Sequence, residues 1–79
     1  MTNREKFVAE LTKQYEALFK IEPDYAFAAA RNTPAEWAEK MTSALSAGTA
    51  NKAGHGVSRT CKALDIPHTY QGILIYLNA

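Results

Sequence analysis

Cysteine is nearly absent: Cys61 stands alone in 79 residues. No internal disulfide can form, so nothing marks the chain as a cross-linked secreted scaffold. Long apolar runs are absent as well. None approaches the ~18 residues of a membrane span, and the opening Met1-Thr2-Asn3-Arg4-Glu5-Lys6 is charged where a signal core would be apolar. The patterns of catalysis are also missing. Ser43, Ser46 and Ser58 lie in no activating motif, and Cys61 falls on an apolar helical stripe rather than beside a base. His55, Cys61, His68 and a carboxylate match no zinc spacing. The stretch Gly48–Gly56 carries Lys52 and His55, but it lacks the Walker spacing and follows no strand. The expectation is a soluble cytoplasmic protein that is not an enzyme and needs no metal or cofactor.

What is present suits one small domain over residues 1–79. Apolar residues make up 47% and charged residues 22%, enough for a folded globule and too apolar for disorder. A chain this short buries only ~60–65% of its unfolded surface, so its core is thin. The net charge of +1 conceals an asymmetry. Residues 1–40 hold six basic and seven acidic side chains, whereas residues 41–79 hold Lys52, Arg59 and Lys62 against Asp65 alone. That mildly basic half prefers an acidic surface but lacks the clustered stripe of a strong nucleic-acid binder.

Helical signals follow in order. Thr2-Asn3-Arg4-Glu5 fits a capping box, and Phe7, Val8, Leu11, Tyr15, Leu18 and Phe19 recur at helical spacing, predicting a helix over 3–20. Pro23 ends it and opens a short second helix through Tyr25–Arg31. Thr33-Pro34-Ala35-Glu36 is a second box, starting a helix to about 46 with Trp37, Met41, Ala44 and Leu45 inward. A glycine-rich loop follows, then a helix over 55–64 with Val57, Cys61 and Leu64 on one stripe and Arg59 and Lys62 on its outer face.

The end of the chain is its most apolar part. Ile66, Tyr70, Ile73, Leu74 and Leu77 form a helical stripe, and Ile75 and Tyr76 fall outside it. A helix apolar nearly all round either fills the core or shares a face with a partner. Ile73–Leu77 also has the composition of a strand, which would need a dimer or a bound partner to supply its edge. The helical reading is preferred, because no second strand-like run lies upstream. The fold expected is therefore all-α, a compact bundle of four to five short helices with the C-terminal helix central.

Two functional readings remain. Cys61-Lys62-Ala63-Leu64-Asp65-Ile66 is similar to a helix-turn-helix turn, departing at Asp65 and Pro67. The helix after it would expose Gln71 and Asn78 to adenine edges with no Arg or Lys to hold phosphates. In size and style, and over Cys61–Tyr70, the chain resembles the small all-helical accessory proteins of bacteriophages and mobile elements, among them the anti-CRISPR proteins. That resemblance implies a non-enzymatic protein that binds and blocks a host protein or ribonucleoprotein complex. It assigns no residue. The residues themselves point to Ile75 and Tyr76 as apolar contacts, with Lys52, Arg59 and Lys62 as a charged rim. A homodimer through the spare apolar face is the other use that face allows.

Overall fold

The computed structural model describes residues 1–21, 32–50 and 56–79. Among these residues all regular structure is helical: α1 (Asn3–Ile21), α2 (Pro34–Ser46), α3 (Val57–Ala63) and α4 (Tyr70–Asn78). The all-α class is as the periodicity required, and the C-terminal segment is a helix, not a strand. The short helix expected over Tyr25–Arg31 lies outside the described residues.

Both expected capping boxes form. The Glu5 amide donates to Thr2 Oγ1 at 3.1 Å while Glu5 Oε1 accepts from the Thr2 amide at 3.0 Å. At α2 the Glu36 amide donates to Thr33 Oγ1 at 3.1 Å, and Glu36 Oε1 accepts from the Thr33 amide at 3.2 Å. Each box satisfies two amides that a helix start otherwise leaves without partners. Pro34 takes the first helical position, where no amide hydrogen is needed.

The helix ends repeat one device. After α2, Gly48 adopts φ 74°, its amide donates to Leu45 O at 3.2 Å, and the Thr49 amide donates to Ala44 O at 2.9 Å. After α3, Asp65 adopts φ 57°, its amide donates to Lys62 O at 3.3 Å, and the Ile66 amide donates to Cys61 O at 2.9 Å. Both are Schellman closures, the second built on an aspartate in the left-handed conformation that glycine adopts without penalty.

α1 is the shared wall of the molecule. Phe7, Leu11 and Tyr15 lie four residues apart on one stripe and are fully buried. α2, α3 and α4 all pack on α1, and α2 also packs on α4. The terminal helix delivers Ile73 and Leu77 to the core, but α1, rather than the terminal helix, is the element the others have in common. The reason is length. A 19-residue helix offers about five turns of apolar stripe, against about two and a half from the nine residues of α4. The radius of gyration, 11.7 Å, is close to the ~12 Å of a folded chain this long.

The buried face of α2 is rotated from the expected one. Ala38, Thr42 and Leu45 are enclosed, while Trp37, Met41 and Ala44 are half-buried at its flank. Small side chains at the closest approach let α1 come near, and the larger Trp37 and Met41 pack along the edge of the core. Thr42 tolerates burial because its hydroxyl donates to Ala38 O at 2.8 Å, so no polar atom is stranded.

Candidate functional site

Helix α4 begins at Thr69, whose Oγ1 accepts from the Gly72 amide at 2.9 Å. Gly72 stands where a capping box would have glutamate. A Cβ there would lie 2.9 Å from both Pro67 Cβ and Pro67 O, so the turn from α3 sits directly on this position. Ile73 and Leu77 then face the core, and Ile75 is left on the outer face with 63% of its surface exposed. Gln71 and Asn78, one turn to either side of Ile75, are exposed too. The Asn78 amide nitrogen donates to Leu74 O at 2.8 Å. This is an apolar spot flanked by amides, on a helix whose other face is fully used.

Tyr76 is placed differently from Ile75. It is half-buried and packs against the core, and its carbonyl accepts from Asn3 Nδ2 at 3.1 Å, which ties the last turn of α4 to the first turn of α1. Tyr76 therefore serves the fold at the border of the exposed face. Arg59 and Lys62 are exposed together on α3, three residues apart and so on one side of that helix. Lys52 lies outside the described residues.

The geometry relates these groups only partly. A Cβ on Gly56, ahead of α3, would meet Gln14 Cβ and Leu11 Cδ1 at 3.3 Å, while Asn3 holds the end of α4. Eleven residues separate Asn3 from Gln14, which is about three turns and about 20° of rotation on a helix. The entry to α3 and the exit of α4 thus meet the same flank of α1. The two helices do not form a packed pair with each other, although both pack on α1. A helix-turn-helix unit needs that packed pair to aim its second helix. Here residues 64–69 connect two helices that each lean on α1 instead.

The chemistry of the described residues is quiet. Cys61 is enclosed and burial pushes its thiol pKa up, away from the thiolate a nucleophile requires. Among the described residues no three His, Cys, Asp or Glu side chains gather as metal ligands, and no helix is long and apolar enough to cross a membrane. The buried Thr60 hydroxyl donates to Gly56 O at 2.8 Å and is used locally.

One feature was not read from the sequence. Arg4 reaches across to α2, 2.9 Å from Glu39 Oε1, and donates to Ser43 Oγ at 2.7 Å. Beside this clasp lies a shallow groove of about 370 Å³, lined by Met1, Arg4, Glu5, Val8, Ala9 and Glu39. Glu39 and Ser43 share a face at i,i+4, which is a visible signal, but nothing in sequence alone says that the first turn of α1 lies opposite. Compared with known protein families, curated proteins and solved structures, the chain matches none.

Proposed function

We propose that this chain is a small non-enzymatic binding module that works in the cytoplasm by occupying and blocking a host protein or ribonucleoprotein complex, in the manner of an anti-CRISPR protein. The observation that supports this is Ile75, an isoleucine 63% exposed on a nine-residue helix whose opposite face holds the core. An aliphatic anchor on a rigid helix suits insertion into a partner's pocket. Tyr76 borders that contact, and Arg59 and Lys62 supply charge from α3, with Lys52 assigned to the same rim by the sequence.

The test is phage plating on bacteria that carry an active RNA-guided defence system, with and without expression of the chain. The wild-type chain is expected to restore plating, and Ile75→Glu to weaken that effect by about tenfold or more while leaving the thermal melt in place. Failure of the wild-type chain to restore plating against representatives of the RNA-guided nuclease types would defeat the inhibitor reading. A melt that collapses in Ile75→Glu would instead make Ile75 part of the core.

A further inference from the structure

The outer side of α1 carries three lysines seven residues apart, Lys6, Lys13 and Lys20, and all three are exposed. Seven residues fall about 20° short of two helical turns, so the three side chains leave the helix in one row, about 10.5 Å from each to the next. Lys13 is two residues beyond Leu11, the middle of the buried stripe, which turns it about 200° away from the core. Among the described residues no carboxylate lies within ion-pair distance of any of the three. Two carboxylates of α1 are engaged elsewhere. Glu5 accepts from the Thr2 amide, and Glu10 Oε2 accepts from Gln14 Nε2 at 3.3 Å, although Glu10 has the helical spacing to pair with either Lys6 or Lys13. Glu16, exposed beside Lys13 and Lys20, is the carboxylate that opposes the row.

We infer that this lysine row is a docking surface for the phosphate backbone of nucleic acid, engaged without regard to base sequence. The row presents charge and little else. Ala9 and Ala17 are exposed along it, while Phe7, Leu11 and Tyr15 are spent on the core. A bilayer would need an apolar face to bury, and protein interfaces favour aromatic and arginine anchors while lysine is depleted there. A lysine ammonium is a compact point charge, which suits a phosphate oxygen. The row is about 21 Å long and straight, matching about six base pairs of a duplex at 3.4 Å each. It holds no arginine, asparagine or glutamine to read base edges, so contact with the backbone is all it offers. The row lies on α1, apart from Ile75 on α4, and does not rest on the inhibitor reading.

Fluorescence anisotropy of the full chain with a labelled random-sequence DNA duplex tests this. The expected dissociation constant is on the order of 10⁻⁴ M in about 25 mM salt, weakening about 40-fold by about 100 mM as three phosphate contacts are given up. Lys13→Gln should reduce the slope of log affinity against log salt by about a third. Lys6→Gln, Lys13→Gln and Lys20→Gln together should abolish binding and leave the thermal melt in place, because glutamine forms helix about as well as lysine. A second triple variant, Lys40→Gln with Arg59→Gln and Lys62→Gln, removes as much charge away from the row and should keep the wild-type slope. A slope that falls equally in both triple variants would overturn the inference, since net charge alone would then explain the binding. So would absence of wild-type binding at the lower salt. Preference for vesicles of phosphatidylserine and phosphatidylcholine over the duplex would make the row a membrane surface and overturn it as well.

Discussion

α3 encloses a larger share of its side chains than the frame formed by α1, α2 and α4: three of its seven residues are enclosed, against three of the thirteen in α2. They differ in how each helix is specified. α1 and α2 begin with reciprocal boxes and have, among the described residues, three and two further helices against them respectively, so local signals and tertiary packing agree. α3 begins without a side-chain cap and, among the described helices, packs mainly on α1. Burial alone thus says little about how firmly an element is held. What counts is how many separate contacts must break together before it can leave.

The severest way to break this contrast is to damage the wall that both parts share. Phe7 is fully enclosed on α1, and Phe7→Ala should cost about 3–5 kcal/mol, a large part of the total stability of a domain this small. Urea unfolding followed by circular dichroism measures it. A loss under about 1 kcal/mol would mean that α1 is not the common support.

Gly72 offers a sharper comparison with α2. By sequence rule Thr69-Tyr70-Gln71-Gly72 lacks only a glutamate at its fourth position to match Thr33-Pro34-Ala35-Glu36, so Gly72→Glu ought to complete a box and stabilise α4. The structure requires the opposite. With Pro67 Cβ and the Pro67 carbonyl both 2.9 Å from where a Cβ would sit, the substitution should destabilise by about 1–3 kcal/mol. Backbone cannot yield as a flexible side chain would. A rise in the urea midpoint would show that the turn over Gly72 is free to move.

These two sites also show what was legible in the sequence. Where a signal is local, it was readable: Thr2 with Glu5, Thr33 with Pro34 and Glu36, and the spacing of Phe7, Leu11 and Tyr15 gave α1 and α2 to within a residue or two. Where the outcome depends on which surfaces meet, it was not. The rotation of α2 onto Ala38 and Thr42 reflects how closely α1 approaches, and the centrality of α1 over α4 reflects length of stripe rather than apolar content. The Arg4 clasp and the hydrogen bond from the Tyr70 phenol to the Ala50 carbonyl join residues 39 and 20 positions apart, beyond the reach of periodicity. At the candidate site, the exposure of Ile75 follows from its falling off the Ile73 and Leu77 stripe. Tyr76, three residues after Ile73, borders that stripe instead and is half-buried against the core.

The smallest effect expected is one of pH, and it separates the boxed helices from the unboxed ones. Hydrogen bonds to Thr2 hold the Glu5 carboxyl below its usual pKa, and those to Thr33 do the same for Glu36. A carboxyl whose pKa is lower folded than unfolded adds stability when ionised in both states, above the ordinary glutamate value of about 4.3. That contribution fades as pH falls through the unfolded and then the folded value. Acid should therefore loosen the starts of α1 and α2, whereas α3 and α4 have no acidic residue in their first turns to respond. Both glutamates are exposed, so solvent screens them and the change is small. Glutamine can still accept from the threonine amide, so Glu5→Gln with Glu36→Gln should keep the boxes and flatten the decline in thermal midpoint below about pH 4.3. An unchanged acid limb in the double variant would mean that the decline comes from carboxylates elsewhere in the chain.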